Sequence, residues 1–187
     1  MDDQFGDLPP EAPGAVQRLL RLVREVLETL VPAILIALQI NVFVGQATRV
    51  EGQSMEPSLH TNQRLVVEKL SYRFHGPKRF DVVVLKVASQ ANELLIKRVI
   101  GLPGETVEVK DGKVYIDGRP LDEPFLAGDT RPGRHGRVVV PPLHVYVMGD
   151  NRDHSNDSRS FGPVPIDNIV GRAWISYWPL EDLGPIE

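Results

Sequence analysis

The chain has 187 residues, a formal net charge of -4 and no cysteine. The missing cysteines exclude disulfides, thiolate nucleophiles and sulfur-ligated metal sites, and the near-balanced charge leaves no basic field of the kind that binds nucleic acid. At this length the chain can form one medium domain with either a membrane element or a small insertion.

Residues 1–15 carry Asp2, Asp3, Asp7 and Glu11 among Pro9, Pro10 and Pro13, with little to bury, and read as a disordered tail. From Val16 onward Leu19, Leu20, Val23, Val26, Leu27 and Leu30 recur at helical spacing, with Arg18, Arg21 and Arg24 between them. The helix continues into an uncharged run, so 16–47 is expected to hold an amphipathic start and one transmembrane helix, with 26–44 long enough to cross the hydrocarbon core. Three arginines before the run and only Arg49 close behind it predict a cytoplasmic N-terminus and an extracytoplasmic remainder.

Beyond Thr48 the chain reads as strands and turns. Valine- and isoleucine-rich runs at 64–69, 81–87 and 94–100 predict three strands. Thr106 to Lys110 and Lys113 to Ile116 flank Asp111-Gly112, a two-residue hairpin turn, and 122–137 reads as a mobile loop. Strands are expected again at 138–140, 144–148 and 169–177. The predicted organisation is a β domain in two parts, 48–104 and 141–187, with a small hairpin-rich insert at 105–140 between them.

Residues 51–59 leave the apolar run and turn at Pro57, presenting Ser54 where a hydroxyl can be held exposed. A serine hydroxyl is a weak nucleophile at its ordinary pKa and needs a base. His60, His75, His135, His144 and His154 are scattered, none in a marking local context, and the glycine-framed elbow of α/β hydrolases is absent. A lysine can serve if an apolar enclosure keeps its amine neutral. Lys86 sits in a valine run and Lys97 in Leu94-Leu-Ile-Lys-Arg-Val-Ile100, where alternation puts Leu95, Lys97 and Val99 on one face. Composition favours Lys97, and both remain candidates on the residues alone. The polar stretch 149–160 has carboxylates at Asp150, Asp153 and Asp157, but Arg152 at the third position and no glycine at the sixth exclude an EF-hand loop. It reads as a self-bonded loop, with no metal or cofactor expected.

Four motifs in order then carry a resemblance. Gln53-Ser-Met-Glu-Pro-Ser-Leu59, Arg79-Phe-Asp-Val-Val-Val84, Lys97-Arg-Val-Ile-Gly-Leu-Pro-Gly-Glu105 and residues 149–162 together resemble the type I signal peptidases. The resemblance implies a mainly β fold of coiled antiparallel sheets, shared with self-cleaving repressors and preceded by one transmembrane helix, in a membrane-anchored serine endopeptidase of the bacterial plasma membrane. Its substrates would be secretory preproteins cut after small residues at an Ala-X-Ala site, with the lipid bilayer and export machinery as partners. It implies Ser54 as nucleophile, its backbone amide as an oxyanion donor, and Lys97 rather than Lys86 as general base. Ser155 would hold the lysine amine, Asp150 would pair with Arg98, and Asp157 with Arg159. Gly52 stands where some members have an oxyanion serine, which leaves the second donor open. Gly52, Gln53, Met55, Leu95 and Ile96 are the expected substrate-binding residues. A protease of the same fold dedicated to one substrate, and a non-enzymatic peptide-binding β module, are the rival readings.

Overall fold

The computed structural model describes residues 14–39, 45–87, 93–126 and 133–186. The expected tail up to residue 13, the end of the predicted span at 40–44 and the middle of the predicted loop at 127–132 lie outside them. The chain divides into two compact units, residues 1–41 and 42–187.

In the first unit, Ala15–Gln39 forms one 25-residue helix, α1, with Pro32 inside it. The helical spacing of the leucines and valines is realised, but the transmembrane expectation is not. Among the described residues no helix is long and apolar enough to cross a membrane. The reason is charge: the ~20 residues a span requires, counted back from Gln39, take in Arg21, Arg24, Glu25 and Glu28. Arg24 and Glu28 form an exposed ion pair one turn apart. The expected transmembrane helix, the single-pass topology and plasma-membrane placement built on it, and the membrane-anchored form of the function are therefore corrected.

The second unit is mainly antiparallel β-structure, as the sequence predicts. Its strands are β1 (Gly45–Arg49), β2 (Arg64–Glu68), β3 (Val82–Lys86), β4 (Leu94–Gly101), β5 (Thr106–Lys110), β6 (Lys113–Ile116), β7 (Arg119–Pro120), β8 (Arg134–Val139), β9 (His144–Met148), β10 (Val164–Pro165), β11 (Ile169–Trp178) and β12 (Gly184–Pro185). The larger sheet runs β1-β2-β11-β3-β4-β9-β10, with β12 also on β11, and the smaller runs β7-β6-β5-β8. The predicted loop thus yields at Arg134, where β8 begins and pairs along β5.

The continuous valine runs are explained by burial on both faces of the central strands. Val82 and Val84 of β3 pack with Met55, Leu59, Leu65, Val67 and Ile96, while Val83 and Leu85 pack with Val99, Val145 and Val147. A third cluster, Ile100, Val107, Val114, Tyr146 and Met148, joins the two sheets. Register shifts along β11 bend the large sheet, as bulges do. At Gly171 the backbones of β11 and β2 come so close that a Cβ would lie 2.3 Å from the Glu68 carbonyl oxygen, so only glycine fits. The outcome for function is that β4, in the middle of the sheet, carries Lys97 and Arg98 into fully covered positions, 2% and 1% exposed.

Candidate active site

Three segments meet around Ser54. The first is the turn after β1. Val50 N–H donates to the Gln63 carbonyl at 2.8 Å, and Leu59 N–H donates to the Met55 carbonyl at 2.9 Å. Gly52 adopts φ +80°, a left-handed conformation that glycine takes without strain. Its carbonyl accepts the Thr61 hydroxyl at 2.9 Å. Met55 is only 1% exposed, so its side chain anchors the turn into the core beneath Ser54.

The second segment is β4. Lys97 Nζ lies 2.8 Å from Ser54 Oγ and donates to the Ile96 carbonyl at 2.9 Å. Lys97 pairs across the sheet with Val83, and its same-face neighbours Leu95 and Val99 pack in the apolar cluster around Val83. Burial is the largest influence on the amine and lowers its pKa to about 8, while Asp157 and Asp150 pull weakly the other way. Lys86 is exposed at the end of β3.

The third segment is the loop 149–160 after β9. Asp150 and Arg98 form a buried two-point ion pair, Nε to Oδ1 at 2.9 Å and Nη2 to Oδ2 at 2.7 Å, and Arg98 Nη1 donates to the Phe80 carbonyl. Asp157 accepts from Arg159 Nε and Nη2, both at 2.8 Å, and from the Gly149 amide at 3.0 Å. Burial alone would raise the Asp157 carboxyl, but the hydrogen bonds and charge of Arg159 outweigh it and hold the group below the ordinary carboxylate range. Asp157 also caps α2, a single turn over Ser158–Phe161.

These motif residues come together, and Ser155 stands apart from the expectation. Its Oγ is buried close enough to Asp157 to favour the ionised carboxylate, yet has no partner in hydrogen-bonding geometry among the described residues. The Lys97 amine instead meets Ser54 and the Ile96 carbonyl.

Two features have no signal in the sequence patterns. The Ser54 carbonyl accepts the Asn151 amide at 3.0 Å, tying the turn to the loop. Gly149 lies so close that a Cβ there would sit 2.4 Å from the Ser54 carbonyl oxygen and 2.3 Å from Ser155 Oγ.

Beside Ser54 and Lys97 opens a cavity of about 420 Å³ lined by Thr48, Arg49, Glu51, Leu94, Leu95 and Ile96. Leu95 and Ile96 are thus on its wall, whereas Gly52, Gln53 and Met55 are not among its lining residues. Chemically, an amine of depressed pKa within reach of a hydroxyl, next to a groove, is equipped to deprotonate that hydroxyl for attack on a bound carbonyl.

Residues 23–178 match the family model described as "Signal peptidase, peptidase S26". The chain is 41% identical over 193 aligned positions to "Signal peptidase I" of Leptolyngbya laminosa, covering 99% of this chain and 95% of that one. It is 40% identical to "Probable signal peptidase I-2" of Synechocystis sp., covering 84% and 74% respectively. It is also 40% identical to "Signal peptidase I V" of Bacillus subtilis, covering 75% and 90%. With 41% identity along nearly its whole length and a family match spanning all three segments of the site, the chain belongs to the signal peptidase family and is a serine endopeptidase of the signal peptidase I type.

Proposed function

We propose that this enzyme removes N-terminal signal peptides from exported preproteins, with Ser54 as nucleophile and Lys97 as its general base. Membership of the family implies preprotein substrates and association with membranes in general. The observation that carries the catalytic assignment is the 2.8 Å approach of Lys97 Nζ to Ser54 Oγ inside an apolar strand environment. With a pKa near 8, about one amine in ten is neutral at pH 7.

The neutral amine takes the Ser54 proton as Oγ attacks the scissile carbonyl carbon, and the carbonyl oxygen becomes an oxyanion. The Ser54 backbone amide is the proposed first donor to that oxyanion. The Lys97 ammonium then gives its proton to the leaving nitrogen, the C–N bond breaks, and the mature protein departs as a free amine. Neutral again, Lys97 deprotonates a water that attacks the acyl-enzyme carbonyl. The ester C–O bond breaks, and the lysine proton returns to Ser54 Oγ.

The groove beside the dyad supports extended binding of the peptide between 48–51 and 93–97, where backbone pairing is indifferent to variable signal sequences. Leu95 and Ile96 supply apolar walls suited to small side chains ahead of the cut.

The test is cleavage of a purified preprotein bearing an Ala-X-Ala site. Ser54→Ala is expected to lose at least a thousandfold in rate with folding preserved. Lys86→Ala, altering an exposed amine, should stay within about twofold. Loss of cleavage with Lys86→Ala alone would overturn the dyad.

A further inference from the structure

The loop 149–160 is held by three buried or largely buried arginine–carboxylate pairs, and only two of them lie wholly within the sequence motifs. The third joins Arg152 to Glu123, in a segment at 121–126 that carries no motif. Arg152 Nη1 donates to Glu123 Oε2 at 3.1 Å, and Nη2 donates to Oε1. Both side chains are almost fully covered, 3% and 6% exposed.

The segment is fixed on either side of Glu123. Leu121 N–H donates to the Val114 carbonyl of β6 at 2.8 Å. Phe125 packs edge-on against Phe80, with ring centroids 5.3 Å apart, and the Arg98 guanidinium lies 4.1 Å from the Phe125 centroid. Glu123 is therefore presented to Arg152 from a braced strap.

What Arg152 does with its remaining edge connects the strap to the reaction. Its Nε donates to the Gly149 carbonyl at 3.1 Å, so the guanidinium bridges Glu123 and the backbone of the loop. A two-point carboxylate contact fixes the plane of a guanidinium, which a single contact does not. Gly149 packs against the Ser54 carbonyl, and the Asn151 amide grips the same oxygen at 3.0 Å.

We infer that Glu123 is a positioning residue for Ser54, acting through Arg152 and the 149–151 turn. The inference rests on the reading of Ser54 as nucleophile. Neutralising the carboxylate leaves the Arg152 charge without this partner in a covered site, so the turn is expected to loosen. Ser54 would then lose its fixed approach to Lys97 while the substrate groove keeps its walls.

Glu123→Gln in the full chain, which preserves size and removes charge, tests this. The expected kcat for cleavage of a preprotein falls ten- to a hundredfold with KM within about threefold. Hydrogen exchange at the Asn151 amide should accelerate at least tenfold while that of Val145 and Val147 in β9 stays unchanged. Glu123→Asp, retaining the charge, should recover part of both effects, and it replaces the Gln variant if that one fails to fold. A kcat within twofold of the unmodified enzyme, or unchanged Asn151 exchange, would overturn the proposal. So would loss of folding in both variants, which would make Glu123 a residue of stability alone. Failure of the nucleophile assignment itself shows separately, as cleavage surviving Ser54→Ala while the Asn151 exchange still responds to Glu123.

Discussion

Replacing Lys97 with methionine is expected to abolish cleavage and to raise the melting temperature at pH 7. The two effects have one cause. In the unfolded chain the amine titrates at its ordinary value of 10.5, and in the fold burial lowers it to about 8. Between those values the unfolded state binds the extra proton, so stability rises with pH through that window, and below pH 8 the full penalty applies. A shift of this size costs about 3 kcal/mol. Methionine fills the same space without a charge to bury, and leaves the Ile96 carbonyl short of one hydrogen bond worth about 1 kcal/mol. The net gain is about 2 kcal/mol, or about 4–8 °C in Tm. Cleavage should fall about ten-thousandfold, since the same substitution removes the proposed proton acceptor for Ser54. Scanning calorimetry and a preprotein assay on the two proteins check both halves. A variant that is inactive and less stable would contradict the account of a forced neutral amine.

Gly149→Ala is expected to be the most damaging single-methyl addition near the site. Its Cβ would lie 2.4 Å from the Ser54 carbonyl oxygen and 2.6 Å from Ser155 Cβ, in addition to the 2.3 Å approach to Ser155 Oγ. A flexible side chain could turn away, but the Ser54 carbonyl belongs to the backbone and is already held by the Asn151 amide. The loop must move relative to the turn that carries Ser54. A displacement approaching 1 Å at a reacting group costs about a hundredfold in rate, and overpacking of this kind costs about 1–3 kcal/mol in stability. Steady-state kinetics should show the loss in kcat, with KM little changed because the groove at 93–97 is untouched. An alanine variant of full activity would mean that the loop does not fix Ser54.

Much of the fold is legible in the sequence because its signals are local. The runs at 81–87, 94–100 and 144–148 correspond to β3, β4 and β9, whose central residues are covered on both faces and so are mostly apolar rather than alternating. Asp111-Gly112 turns between β5 and β6, both residues at positive φ. The membrane span fails because the uncharged part of α1 is too short: the ~20 residues a span requires, counted back from Gln39, include Arg21, Arg24, Glu25 and Glu28. At the site, motif spacing points to Ser54, Lys97 and the Arg98–Asp150 and Arg159–Asp157 pairs. It offers nothing on Glu123, 29 residues from Arg152, because an ion pair formed across the fold leaves no periodicity in the chain. Nor does it show that Ser155 lacks a hydrogen bond to Lys97, which depends on side-chain direction rather than order.

The proposed dyad needs a Lys97 amine that is uncharged when it meets Ser54, and the pH dependence of kcat/KM measures that most directly. On a substrate without titrating groups of its own, kcat/KM should rise about tenfold per pH unit from pH 5.5 and level off above an apparent pKa near 8. A rate flat from pH 5 to 9, or an inflection near the ordinary histidine value of about 6.5, would contradict it.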